Sequence, residues 1–261
     1  MTVQEIAQEL EAWAHPSAAE GYDNVGLLVG LPDMEVTGVL INLDMTEAVV
    51  DEAIAKGLNM VVAHHPIWFG KRNRLNGEDY VSRTIMKAVK HDIALYAIHT
   101  NLDNVRTGVN QRICDQIGLD EVRFLQPKPA SEGALGSGMI GKLSQPMTKV
   151  EFLDHIKSAF QSGGIRYADA PLDQIETVAV CGGSGSFLTQ AALALGADAF
   201  VTADITYHKF FDNEEKILLL DIGHYESEQF TSNLLYEFLS QKFVNFAVQL
   251  SDTHTNPVRY H

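Results

Sequence analysis

Short apolar runs alternate with amphipathic helical patterns along most of the chain. Thr2 stands three residues before Glu5, a capping-box spacing, and opens a helix carrying Val3, Ile6, Leu10 and Trp13. Val39-Leu40-Ile41-Asn42-Leu43 predicts a strand, and Thr46 to Lys56 the helix after it, with Val49, Val50, Ala53 and Ile54 turned inward. Met60-Val61-Val62-Ala63 predicts the next strand. It must stop at His64-His65-Pro66, because proline has no amide proton to give a sheet. A helix over Val81 to Lys90 leads to a strand over Ile93 to Ile98, which ends at His99-Thr100-Asn101-Leu102-Asp103. This alternation predicts an α/β fold built on largely parallel sheet.

The second half repeats the scheme. A helix near Val109 to Gly118 precedes Gln126 to Gly138, a stretch rich in Pro, Gly and Ser with no apolar period, which is a candidate domain junction. Thr148 to Phe160 reads as a capped amphipathic helix. Thr177 to Cys181 is a strand ending at Gly182-Gly183-Ser184-Gly185-Ser186, before a helix from Phe187 to Leu195. Ala199 to Thr202 is a strand that gives way to Ala203-Asp204, with Tyr207-His208 just beyond. Ile217 to Leu220 delivers Asp221-Ile222-Gly223-His224 to the start of a long helix, and Val244 to Leu250 reads as a closing strand.

Composition narrows the possibilities. The 261 residues are 46% hydrophobic, and the net charge of −15 disfavours a broad surface for phosphate backbones. Two cysteines, Cys114 and Cys181, rule out a disulfide framework and a thiolate zinc site, and both read as buried packing. No apolar run approaches the roughly 20 residues of a membrane-spanning helix, and the N-terminus shows no basic segment followed by an apolar stretch; the expectation is a cytoplasmic protein with no membrane partner.

In α/β sheets ligands bind beyond the carboxyl ends of the strands, where the polar clusters of this chain fall. His64 and His65 are adjacent, and in an irregular turn they can address neighbouring centres. His99 and Asp103 are four apart, as are His224 and Glu228. Taken singly, each has a plain structural reading as a hydrogen-bonded loop histidine, a turn acid or a solvated first-turn acid. One metal site explains them all. Imidazole with carboxylate suits zinc, manganese or iron, and this many ligands exceeds one tetrahedral ion with an open position but suffices for two. Gly182 to Ser186 admits two readings, a phosphate cradle or a tight turn. Asp23-Asn24 either orients a ligand or forms an Asx turn, and Asp44 and Asp204 stand near the same strand ends.

Asp23-Asn24-Val25-Gly26-Leu27, Ala63-His64-His65-Pro66, His99-Thr100-Asn101-Leu102-Asp103 and Gly223-His224-Tyr225-Glu226-Ser227-Glu228 resemble, in order, the motifs of the Nif-three-like dinuclear-metal family, also called GTP cyclohydrolase type 2 homologues. The resemblance implies two interlocked α/β domains with the metal site between them, assembled as a toroidal homohexamer. With the junction near residue 126, it gives a discontinuous first domain over 1–126 and 222–261 and a second over 127–221. It implies His64, His65, Asp103, His224 and Glu228 as ligands of two divalent ions. His99 then serves as a further ligand or ordering partner. Val201-Thr202-Ala203-Asp204 departs from the family's usual Thr-Gly-Asp or Thr-Gly-Glu at Ala203.

Two functions follow as expectations. The first is a dinuclear-metal-dependent hydrolase of a small phosphorylated or nucleotide-like substrate, in which His99 or His208 handles protons. The second is a non-catalytic metal-binding hexamer that stores or delivers ions or serves as a protein scaffold. Nucleic acid is the least favoured partner.

Overall fold

Two β-sheets organise the chain, which is described by a computed structural model over residues 1–129 and 131–261; Ala130, inside the Gln126–Gly138 stretch, lies outside the described residues. The first compact unit comprises Met1–Leu102 and Thr231–Asn256, and the second Asp103–Phe230 and Pro257–His261.

In the first unit, strands β1 (Gly26–Val29), β2 (Val39–Asn42), β3 (Met60–Ala63) and β4 (Ala94–Ala97) are joined at one edge by the C-terminal strand Val248–Leu250, in the spatial order β1-β4-β3-β2-C-terminal strand. All neighbours are parallel except β1, which runs antiparallel to β4. The helices are α1 (Val3–Trp13), α2 (Glu47–Ala55), α3 (Tyr80–Lys90) and the C-terminal helix Thr231–Lys242. Thr2 and Glu5 form the capping box that their spacing predicts.

β2, β3 and β4 are buried on both faces, as a parallel sheet requires. Leu40, Val61 and Leu95 meet Val49, Val50 and Ala53 of α2 and Val81, Ile85 and Ala88 of α3. Their neighbours Ile41, Val62 and Tyr96 face the other way, and the Tyr96 hydroxyl reaches Glu11 of α1 at 3.4 Å. Trp13 of α1 stacks on Phe238 of the C-terminal helix with ring centroids 4.3 Å apart. That contact ties the last segment of the unit to the first.

The second unit begins with Asp103, the last residue of α4 (Thr100–Asp103), and holds α5 (Val109–Ile117), α6 (Lys149–Ala159), α7 (Thr189–Ala194) and α8 (His224–Glu228). Its strands are β5 (Leu119–Pro127), β6 (Gly136–Thr148), β7 (Arg166–Ala168), β8 (Gln174–Val180), β9 (Ala199–Thr202) and β10 (Leu218–Asp221), in the order β5-β6-β8-β9-β10-β7. Only β8-β9 and β9-β10 are parallel. The expectation of largely parallel sheet therefore holds in the first unit and fails in the second, where β5-β6, β6-β8 and β10-β7 are antiparallel.

Three further expectations are corrected. Gln126 to Gly138 is not a junction: it contains the turn of the β5-β6 hairpin, and the units divide at residues 102 and 230 instead. Both units are α/β, and the first is discontinuous, but its C-terminal portion starts at Thr231. The long helix from His224 is broken at Gln229 and Phe230, where Gln229 Nε2 donates to the Phe160 carbonyl at 2.8 Å and the Phe230 ring meets that of Phe160 edge-on. Among the described residues no helix is long and apolar enough to cross a membrane.

Candidate metal centre

Parallel strands end on the same side of their sheet, so the residues after β2, β3 and β4 come together in the first unit. His64 and His65 follow β3 and His99 follows β4. One ring nitrogen from each of the three lies within 4.8 Å of the others. The ring centroids are 5.0 Å apart for His64–His65, 5.1 Å for His64–His99 and 5.5 Å for His65–His99.

Each imidazole is held at Nδ1. His64, fully buried, lies with Nδ1 2.9 Å from the Ile98 carbonyl; a carbonyl only accepts, so Nδ1 carries the proton and Nε2 the lone pair. His65 Nδ1 lies 2.7 Å from Asp44 Oδ1, and the other Asp44 oxygen accepts from the Thr255 hydroxyl at 2.5 Å. His99 Nδ1 lies 2.9 Å from Asp23 Oδ1. Asp23 is enclosed and also accepts from the Thr100 amide at 3.0 Å and from the Thr100 hydroxyl. Burial opposes charge on Asp23, but the His99 hydrogen bond and charge, with Thr100, outweigh it and hold its pKa at about 2.

The second unit builds its group the same way, at the ends of the parallel strands β8, β9 and β10. His224 opens α8, and its Nδ1 lies 2.7 Å from Asp204 Oδ2. Its Nε2 lies 3.1 Å from Oε2 of Glu228, one helical turn on and only 4% exposed at the side chain. Burial disfavours charge on His224, yet Glu228 and Asp204 outweigh it and push its pKa up to about 11. These carboxylates call for positive charge at this point, which an imidazolium or a divalent cation can supply. Asp103 ends α4 and is bound through its backbone, its carbonyl accepting from Asn110 Nδ2 at 3.0 Å.

In the loop after β8, Gly182 and Gly183 serve this group by having no side chains, while the Ser184 hydroxyl donates to Asp204 Oδ2 at 2.6 Å. A Cβ on Gly183, whose φ is +57°, would stand 2.6 Å from Glu228 Oε1, and one on Gly182 would stand 3.2 Å from Glu228 Cγ. Its three glycine amides are already taken: Gly182 donates to Asn110 Oδ1 at 3.0 Å, Gly183 to Ser227 Oγ at 3.0 Å and Gly185 to Thr202 Oγ1 at 2.9 Å. These bonds within the protein favour the tight-turn reading of the glycines. Ala203 is fully buried, and the left-handed residue of that turn is Asp204, with φ +54°. The departure at Ala203 leaves the turn intact.

Asp23, Asp44 and Asp204 thus prove to be the orienting partners of three imidazoles. Asn110 is the residue that sequence reading passed over, since it lies on the apolar face of α5 and is only 1% exposed, yet joins the Asp103 carbonyl to Gly182. The signal for it was a polar residue in the register of Ile113, Cys114 and Ile117, because buried amides are hydrogen-bonded. His208 stands on the exposed segment Tyr207–Asn213 with its ring against Tyr207, 5.3 Å between centroids. Both cysteines are buried, and burial pushes the Cys114 thiol up to about 12.

Comparison with known proteins matches this arrangement to a family. The sequence profile of Duf34/NIF3 (NGG1p interacting factor 3) matches residues 1–257. A relative in Clostridium acetobutylicum named GTP cyclohydrolase 1 type 2 homolog is 32% identical, with 100% of this chain and 99% of that one covered. Another of the same name in Clostridium perfringens is 36% identical over 87% of each chain. Among solved structures, a hypothetical protein of Staphylococcus aureus superposes with a TM-score of 0.92 at 31% identity, covering 100% of this chain and 99% of its own. A Bacillus cereus protein related to NIF3 gives 0.91 at 25% identity, with the same coverage. On the match along nearly its whole length, the chain belongs to the Duf34/NIF3 family.

Proposed function

We propose that the protein is a metal-dependent hydrolase of a small phosphorylated or nucleotide-like substrate, with His64, His65, Asp103, His224 and Glu228 as ligands of two divalent cations, zinc, manganese or iron. The observation that carries this reading is the common treatment of four imidazoles, each fixed at Nδ1 by an acceptor: Ile98 for His64, Asp44 for His65, Asp23 for His99 and Asp204 for His224. Holding one ring nitrogen in this way orients the ring and turns Nε2 into a ligand or base. Structural histidines need only one such bond by chance; four at the ends of parallel strands form a pattern. When bound, such cations supply Lewis acidity and a water of lowered pKa, which favours hydrolysis.

The chain's own groups complete the reading. Asp204 raises the basicity of His224, Asp44 orients His65, and Glu228 is enclosed so that its carboxylate cannot be satisfied by bulk water. His99, locked by Asp23, takes the proton-transfer role at Nε2; His208, on its exposed segment, is less well placed for it. The toroidal homohexamer belongs to the same reading and rests on the family resemblance.

The test is elemental analysis of protein purified without chelator, followed by turnover against phosphoesters, nucleotides and cyclic amides. Two equivalents of metal are expected, with activity lost to a chelator and restored by manganese or zinc. Glu228→Ala is expected to lose metal and turnover together. Tight metal uptake with no turnover would replace the hydrolase by a metal-storing assembly, and metal retention by Glu228→Ala would refute the ligand assignment.

A further inference from the structure

The strand that ends in His64 and His65 runs straight into a cleft of about 700 Å3 formed by loop 66–79 and the start of α3. Trp68, Phe69 and Tyr80 line it together with Lys71, Arg72 and Arg74. Phe69 is 53% exposed, an unusual state for a phenyl ring, and its centroid lies 5.7 Å from that of His99. Asn24 Nδ2 donates to the Trp68 carbonyl at 3.2 Å, which pins this part of the loop beside the Asp23 that holds His99. The cleft therefore adjoins the imidazole group of its own unit through Phe69.

Its charge runs against that of the chain. Three of the 19 Lys and Arg fall within residues 71–74 of a protein with a net charge of −15. Arg72 is engaged, with Nη2 3.0 Å from Asp79 Oδ2 and Nη1 3.1 Å from Ser82 Oγ, and so anchors the loop to the start of α3. Lys71 and Arg74 have no ion pair or hydrogen bond among the described residues, whereas Lys56, Arg83, Lys87, Lys149 and Lys242 each sit against a carboxylate. The carboxylates on the cleft are Asp79, neutralised by Arg72, and Glu78; the lining is left net positive.

We propose that this cleft binds the phosphate and base of a nucleoside monophosphate, with Lys71 and Arg74 receiving the phosphate and Phe69 stacking the base beside His99. Cations without partners provide charge-assisted donors for phosphate, and an exposed aromatic face beside them suits a planar heterocycle better than a sugar or an alkyl chain. The inference rests on the hydrolase reading, whose substrate it specifies, and it fixes an orientation: the base lies toward the imidazoles and the phosphate farther along the loop.

Isothermal titration at low ionic strength with adenosine 5′-monophosphate, adenosine and inorganic phosphate tests it, alongside metal analysis of every sample. The monophosphate should bind more tightly than either fragment. The double variant Lys71→Gln/Arg74→Gln should weaken the monophosphate by about tenfold or more while leaving adenosine unchanged, which is the loss of charged hydrogen bonds. Phe69→Ala should weaken adenosine and the monophosphate and leave phosphate unchanged. Unaltered monophosphate affinity in the double variant, or inorganic phosphate binding as tightly as the monophosphate, would overturn the proposal. Either result with metal content and turnover intact would leave the hydrolase reading standing; wild-type protein without metal or turnover that still binds the monophosphate through these residues would refute that reading alone.

Discussion

Asp204 Oδ2 lies 2.7 Å from His224 Nδ1, and Asp204 itself stands in the left-handed region at φ +54°. The strain of that backbone is of the kind that accumulates at functional sites, and here it aims one carboxylate at one imidazole. Asp204→Asn keeps the size and removes the charge. It is expected to lower metal affinity by about 10- to 100-fold, read by competition with a chromogenic chelator, with little change in Tm. Asp44→Asn should act in the same way through His65. Unchanged affinity in both variants would count against imidazole orientation as the basis of the site.

Gly183→Ala separates a backbone requirement from a steric one. Gly196 has a comparable φ, +72°, but a Cβ there meets nothing within 4 Å, so Gly196→Ala should cost only about 1 kcal/mol of stability. A Cβ on Gly183 would collide with Glu228 Oε1, and the variant should lose about 2–3 kcal/mol and release metal. Equal urea midpoints for the two variants would show that Glu228 moves aside at no cost.

Glu52 predicts an acid-dependent component of stability away from the candidate centre. Burial opposes its charge, but Lys56, Ser251, Thr253 and the Asp252 amide outweigh this and lower its pKa from 4.5 to about 2. The folded value lies below the unfolded one, so the contribution is complete above pH 4.5 and is lost as the pH falls toward 2. Glu52→Gln should therefore melt lower than the wild type at pH 7, with the gap in Tm narrowing between pH 4.5 and 2. A gap that stays constant over this interval would exclude a contribution from the charged Glu52 carboxylate.

Asn110→Leu probes the buried amide that sequence reading passed over. It strands the Gly182 N–H and the Asp103 carbonyl at once, and about 2–4 kcal/mol of stability should be lost, measured by denaturant unfolding. A loss below about 0.5 kcal/mol would mean that water replaces the side chain.

Much of this was legible in the chain itself. The β3 bounds, Met60–Ala63, and the β9 bounds, Ala199–Thr202, coincide with their apolar runs, because strands covered on both faces need uninterrupted hydrophobic residues. The β5-β6 hairpin was not legible. The β5-β6 register shifts between Asp120 and Arg123 and the β6-β8 register between Lys142 and Met147, which interrupts the two-residue period of both strands, and charged residues occupy the exposed face of β5.

Sequence alone determined which residues sit at strand ends, since the alternation of apolar run and polar stop is a local property that each strand carries with it. Tertiary structure decided what those residues do: Asp23 meets His99 across 76 positions, Asp44 meets His65 across 21, and Asp204 meets His224 across 20. No local pattern encodes such pairs. The Asp44–His65 and Asp204–His224 pairs form because parallel strands end together, and Asp23–His99 because the antiparallel β1 begins beside the end of β4; only the folded sheet sets which acid stands beside which imidazole.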